Sequence, residues 1–282
     1  MILGIFQSAP RLRDVGANAA EIARTAARAG ADLLLTPELS LTGYDLGDDA
    51  PAVALPLDAD APLLPELEGA PPVVVGLVER GEGGVVYNVA AHLRDGRVFH
   101  RHRKVYLPTY GMFDEGRFFG RGGRVDAYSP FPGWRAGLLV CEDFWHPGLI
   151  YLLAAQGIHL LLVQAAGPGR GVWAGGESGG PFASADAWER IARTTAQLYG
   201  IYVALANRAG VEGGVTFAGE SLIVAPTGDV LARAPAVDEA LISAELSLDE
   251  VERARRPYFH GRDEDPHLLL RELSRVVGHG QR

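Results

Sequence analysis

MILGIFQSAPRLRDVGANAAEIARTAARAGADLLL, residues 1–35, decides how the chain folds. Its apolar start reads as a strand. Val15, Ala19, Ile22, Ala26 and Ala29 then recur at alternating steps of four and three, which gives a helix one apolar face. Gly30 stops that helix where a left-handed residue is favoured, and ADLLL follows as a buried strand. A strand, a helix and a strand in this order are the unit of an α/β fold. LAAQGIHLLL at 153–162 echoes AARAGADLLL at 26–35. The echo fits two similar halves around one core, and equally the general likeness of any two helix–strand units.

Working outward, strands are expected at Val73–Val78, Val85–Leu93, Arg97–Val105, Arg135–Val140, Ile158–Gln164, Ile201–Asn207, Phe217–Ala225 and Ala240–Leu246. Helices are expected at Gly148–Gln156, Ser184–Tyr199, Leu248–Arg255 and Pro266–Val277. Short glycine-containing turns among the strands of 73–105 add antiparallel hairpins, so the sheet is mixed. No proline-rich linker or short repeat divides the 282 residues, and one large domain is the natural reading. Gly167–Gly180 reads as a long surface loop and a candidate lid.

Composition narrows the function. Apolar residues make up 48% and charged residues 22%, enough for a sizeable core. The formal charge of −9 comes without a basic stripe, which argues against a nucleic-acid partner. No run of 18 apolar residues suggests a membrane span, and the N-terminus lacks the pattern of a secretory leader. Cys141 is the only cysteine, so no intrachain disulfide forms and a cytoplasmic location is expected. No HExxH is present, His100 and His102 lack an obvious third ligand, and Gly120–Gly123 is no dinucleotide motif. No metal and no cofactor are expected.

Three segments put a reactive side chain just beyond an apolar strand, where sites in α/β sheets assemble. Cys141 follows GLLV at an abrupt polar turn before a helix, the setting of a nucleophile elbow, and the next N–H, of Glu142, is placed to bind an oxyanion. On spacing alone, a packed core thiol is the commoner outcome. Lys104 ends an alternating strand in which His100, His102 and Lys104 share one face and Arg101, Arg103 and Val105 the other. A solvated charged face is the plainer reading there, but the aromatic loop that follows is suited to walling a pocket. Glu38 follows Pro37 at the end of LLLT; alone it is an ordinary loop carboxylate, and beside a thiol it is a proton acceptor and donor. Trp145 and His146 sit near the nucleophile and are expected to shape the substrate pocket, with plain packing an equal reading for Trp145.

PELSLTGY at 37–44, RKVYLPTYGMFDEGRFF at 103–119 and VCEDFWHP at 140–147 together resemble the nitrilase superfamily of carbon–nitrogen hydrolases. ANRAG at 206–210 and TFAGESLIVAPTGDVLA at 216–232 extend the resemblance along nearly the whole chain. It implies an α/β four-layer α-β-β-α sandwich with mixed sheets, paired into a homodimer. It implies a thioester mechanism with Cys141 as nucleophile, Glu38 as general base and acid, Lys104 supporting the tetrahedral intermediate, and Glu115 as an additional active-site glutamate. YLPTYGMFDEGRFF is especially similar to the glutaminase domain of glutamine-dependent NAD synthetases, which implies Tyr110 and Phe113 in the substrate pocket.

Two departures set glutamine apart. A chain ending at 282 is expected to lack a synthetase domain, and AAGPGRGVW follows Leu160–Gln164 where those glutaminases carry a serine-containing segment. The expected function is therefore hydrolysis of a linear amide or N-carbamoyl compound. The alternatives are an ammonia-supplying subunit for a separate synthetase, a nitrile hydrolase and a non-catalytic binding protein of the same fold. Residues 1–255 are read as the hydrolase domain and 256–282 as a C-terminal extension that packs on its own subunit or reaches a dimer partner.

Overall fold

The computed structural model describes residues 1–57, 63–171, 182–258 and 260–279. The first sheet is built from β1 (Ile2–Gln7), β2 (Leu33–Leu35), β3 (Val73–Arg80), β4 (Val86–Arg94) and β5 (Arg97–Arg103). The second contains β6 (Ala136–Val140), β7 (Leu160–Ala165) and β8 (Tyr202–Asn207). After a small hairpin of β9 (Val211–Glu212) and β10 (Val215–Thr216), β11 (Leu222–Val224) and β12 (Val230–Arg233) complete it, and β13 (Ala240–Glu245) returns to the first sheet. The helices are α1 (Val15–Arg28), α2 (Glu115–Phe118), α3 (Pro147–Ala155), α4 (Ala183–Tyr199), α5 (Leu248–Tyr258) and α6 (Pro266–His279).

Strand order is β13-β1-β2-β3-β4-β5 in one sheet and β12-β11-β8-β7-β6 in the other. The internal echo has a structural counterpart. β1, β2 and β3 pair in parallel and β4 adds antiparallel; β6, β7 and β8 pair in parallel and β11 adds antiparallel. Leu33 and Leu35 point into a core shared with Leu138, Leu160, Leu162 and Val203 of the second sheet. Leu34, with the opposite side-chain direction, packs with Ala19, Ile22 and Ala26 of α1. Leu149 and Leu153 of α3 and Trp188 and Ala192 of α4 join the second sheet's core. The layers are α, β, β and α, as expected for the resemblance.

α1 begins where Asp14 caps the Ala17 N–H at 3.1 Å, and Gly30 stands just beyond it at φ +59°. The strand expected over Phe217–Ala225 forms only at Leu222–Val224. Gly219 at φ +66° and Glu220 at φ +54° turn the chain out of extended conformation before it. The β9–β10 hairpin and β12 were not expected, although Gly213 and Gly214, at φ +57° and +78°, form the Gly-Gly turn that signals such a hairpin. β5 ends at Arg103, two residues before the expected Val105, yet the Lys104 N–H still reaches the Asn88 carbonyl at 2.9 Å. α5 runs through residue 256 to Tyr258, across the expected boundary between domain and extension. Along α6, Leu268, Leu269, Leu270, Leu273, Val276 and Val277 are all exposed rather than packed on their own subunit.

Candidate active site

Side-chain alternation sorts the charges of β5 to two destinations. Arg103 places Nε 2.6 Å and Nη2 2.8 Å from the carboxylate of buried Glu79, and Arg101 joins it at 3.2 Å. His102 and Lys104 point the other way and are buried. The Lys104 ammonium donates to Glu38 Oε1 at 2.7 Å and to Glu115 Oε1 at 2.8 Å. Asn88 of β4 donates to the same Glu38 oxygen at 2.8 Å, and the Tyr44 hydroxyl donates to Glu115 Oε1. Glu38 and Lys104 are 0% exposed, so the ion pairs are fully withdrawn from water. Such burial is tolerable only because each charge has a partner; breaking one pair costs about 3–5 kcal/mol.

The turn carrying Glu38 is pressed against β3. The Leu41 N–H donates to the Gly76 carbonyl at 2.9 Å, and Ser40 Oγ accepts the Gly76 N–H at 3.0 Å. A side chain at Gly76 has no space: its Cβ would lie 2.2 Å from the Leu39 nitrogen. Leu39 itself has φ +50°, a left-handed conformation unfavourable for leucine. Gln164 of β7 crosses between the sheets and donates to the Thr36 carbonyl at 2.8 Å, tying the second sheet to the start of this turn.

Cys141 ends β6 and opens a short 3-10 turn, Cys141–Trp145, before α3. Its φ of +49° marks a strained elbow, a kind of distortion that clusters at functional sites. Burial pushes the thiol well above its usual range, and the carboxylates of Glu38 and Glu115 add to this. The Lys104 ammonium and a backbone hydrogen bond from Ala166 pull the other way. The thiol lies within electrostatic reach of all three groups.

Burial acts to lower the Lys104 pKa, but Glu115 and Glu38 outweigh it and hold the ammonium well above its ordinary value. Burial pushes Glu115 up to about 7, against the pull of Lys104 and with Glu38 reinforcing the rise. Glu38 Oε2 and Glu115 Oε2 are buried without a hydrogen-bond partner among the described residues. Buried oxygens of this kind are where a substrate's donors are most valuable.

Two cavities flank the cluster. One, of about 300 Å³, is lined by Tyr44, Phe113, Glu115 and Phe217 among others. The second, of about 420 Å³, is lined by Tyr106, Tyr110, Glu142 and His146 among others. Of that lining, Tyr110 donates to Glu142 Oε2 at 2.6 Å, and Phe113 stands edge-on to both Tyr44 and Tyr110. Trp145 lines neither cavity; it is 42% exposed and packs edge-on to Trp188 at 5.2 Å. A larger cavity of about 660 Å³, beside Tyr199 and Arg253, includes none of the expected site residues. Positions 172–180 of the candidate lid Gly167–Gly180 lie outside the described residues.

The structure thus gathers Glu38, Lys104, Glu115 and Cys141 from four separate segments. It adds groups that the sequence reading did not single out: Asn88, Tyr44, Asp143 and the Arg208–Glu212 pair. Arg208 is buried and bonds Glu212 at 2.8 Å, while Glu212 Oε1 accepts the N–H groups of Tyr44 at 2.7 Å and Asp45 at 2.8 Å. This pair therefore holds the Tyr44 segment in place. Among the described residues no group of three or more His, Cys, Asp or Glu is arranged to hold a metal ion, and no helix is long and apolar enough to cross a membrane.

The chain is 28% identical over 253 residues to the glutamine-dependent NAD(+) synthetase of Acinetobacter baylyi, covering 88% of this chain and 44% of that protein. It thus spans less than half the length of that relative. A protein of Pseudomonas protegens described as a hydrolase in the pqqF 5' region is 31% identical over 263 residues, covering 87% of this chain and 82% of that one. Among solved structures, a glutamate-to-glutamine variant of the amidase from Nesterenkonia sp. AN1 superposes with a TM-score of 0.71 at 29% identity, covering 92% of this chain and 95% of that one. It carries the acetamide moiety of fluoroacetamide on its active-site cysteine. Residues 4–256 match the Carbon-nitrogen hydrolase family, and with this site at the meeting of its two sheets the chain belongs to that family.

Proposed function

We propose that this protein hydrolyses linear amides or N-carbamoyl compounds through a thioester on Cys141. The observation that carries the reading is the buried cluster of Glu38, Lys104 and Glu115 within electrostatic reach of the thiol on the strained Cys141 elbow. Attack by sulfur on the carbonyl carbon transfers the thiol proton to Glu38, whose free Oε2 is the open acceptor. Negative charge then develops on the carbonyl oxygen, where the Lys104 ammonium and the Glu142 N–H stabilise it. Collapse breaks the carbon–nitrogen bond as Glu38 returns the proton to the leaving nitrogen. Water, deprotonated by Glu38, attacks the thioester and regenerates the thiol. Tyr110 and Phe113 wall the substrate's path. The amidase of Nesterenkonia, which carries the acetamide moiety of fluoroacetamide on its active-site cysteine, supports a nucleophilic cysteine by likeness.

A second reading is favoured by one observation, the likeness to glutamine-dependent NAD synthetases. In it the chain releases ammonia from glutamine for a separate synthetase partner. An ammonia-release screen across amides, carbamoyl amines, nitriles and glutamine, run beside Cys141→Ala, decides between them. A simple amide or carbamoyl amine as the best substrate supports the first reading. Glutamine as the best substrate, stimulated by a co-purifying synthetase, supports the second. We further propose that the chain forms a homodimer; the exposed apolar face of α6 supports it. Light scattering that shows only monomer at micromolar concentration contradicts the dimer.

A further inference from the structure

The reactive cluster is braced by two buried side chains that line neither flanking cavity. Asp143 lies two residues after Cys141, and His102 lies two residues before Lys104. Asp143 Oδ1 accepts the N–H groups of Val105 at 3.0 Å and Tyr106 at 2.8 Å, the two residues directly after the lysine. Its Oδ2 accepts the Val140 N–H at 3.2 Å, directly before the cysteine, and His102 Nε2 donates to it at 2.9 Å. One carboxylate therefore receives four donors, two from the lysine's own loop, one from the lysine's strand and one from the nucleophile turn.

A plainer account is that Asp143 caps the short turn at Cys141. Capping explains the bond to the Val140 N–H alone. It leaves unexplained the two N–H groups from the other sheet's loop and the buried imidazole. A receptor for four donors needs two oxygens with free lone pairs and no hydrogen of its own, which among side chains of this length only an aspartate provides. The elbow also needs such a brace, because a cysteine at φ +49° persists only where its surroundings hold it there.

We propose that Asp143, buttressed by His102, is the positioning pair that sets the Cys141 sulfur against the Lys104 ammonium, and that it acts on the rate of the chemical step rather than on substrate binding. The inference rests on the proposed roles of Cys141 and Lys104. Asparagine at 143 keeps the shape but turns an amide N–H₂ toward backbone donors, so the two segments separate. Leucine at 102 removes the donor, whereas glutamine restores an N–H at nearly the same reach.

The test compares Asp143→Asn, His102→Leu and His102→Gln with the parent protein, measuring kcat, KM and thermal midpoint on the best amide. Because a displacement near 1 Å in a reacting pair costs roughly 100-fold, Asp143→Asn is expected to lose about that factor in kcat with KM within about threefold. His102→Leu is expected to lose about tenfold in kcat, and His102→Gln to return to within about threefold of the parent. The two His102 variants should melt within a few degrees of each other, so stability cannot produce their difference. Equal kcat for the two His102 variants, or losses confined to KM, overturn the proposal. If Asp143→Asn does not fold, the His102 pair decides alone. Cys141→Ala, run in parallel, separates the two levels. Its inactivity with equal His102 variants refutes only the positioning pair, while its full activity refutes the mechanism and the pair together.

Discussion

Gly76→Ala tests whether the Glu38 turn is held by close backbone packing. The added Cβ would sit 2.2 Å from the Leu39 nitrogen, 2.6 Å from the Pro37 carbonyl oxygen and 2.8 Å from the Glu38 carbonyl carbon. All three are backbone atoms, so no flexible side chain can move aside. Relief to an ordinary contact of 3.4 Å requires the turn to retreat by about 1.2 Å from its nearest atom. A retreat of that size stretches the Leu41-to-Gly76 bond, now 2.9 Å, and takes Glu38 Oε1 away from Lys104 and Asn88, now at 2.7 and 2.8 Å. Overpacking of this kind costs about 1–3 kcal/mol of stability. The displaced carboxylate costs about 100-fold in kcat/KM, equivalent to about 2.7 kcal/mol at the transition state. Ammonia release measures the second effect and thermal unfolding the first. A folded Gly76→Ala protein with kcat/KM within threefold of the parent and an unchanged midpoint would refute the packing argument.

Two further predictions probe neighbouring claims. Gly16→Ala in α1 adds a Cβ with nothing within 4 Å, so it should stabilise the protein by about 0.5–1 kcal/mol and leave activity unchanged; calorimetry showing a loss of stability contradicts this. Glu115→Gln should change the pH dependence of stability. The folded state raises the Glu115 pKa from 4.5 to about 7, so it binds the proton more tightly than the unfolded chain. The stabilisation from that proton is complete below 4.5 and is lost as pH rises through 7. The midpoint of Glu115→Gln relative to the parent should therefore improve between pH 5 and pH 8, values chosen to straddle that change; a constant difference contradicts the buried titration.

Much of this architecture was legible because the side-chain periods are strict. The three-and-four spacing in residues 15–29 placed α1, and the alternation of 100–104 separated His102 and Lys104 from Arg101 and Arg103 before any contact was known. Glu38, Lys104 and Cys141 could be chosen because each ends or follows a strand within a recognisable motif. The supporting groups were hidden for a physical reason. Asn88 is an unremarked residue of β4 that meets Glu38 only through sheet pairing, 50 positions away along the chain. Tyr44 lies inside the Glu38 motif, but its bond to Glu115 depends on a loop 71 residues away. Asp143 looked like turn polarity because all four of its donors come from elsewhere in the chain or from backbone atoms that carry no sequence signal. The strand expected at Phe217–Ala225 failed where Gly219 and Glu220 take positive φ, which an apolar pattern does not reveal.

The central claim is covalent chemistry at one sulfur. Rapid quenching of turnover on the best substrate, followed by peptide mass spectrometry, should find the substrate's acyl group on Cys141 and none on the Cys141→Ala protein, which should also be inactive. Undiminished turnover by Cys141→Ala, with no acylated peptide in the parent, would contradict the account.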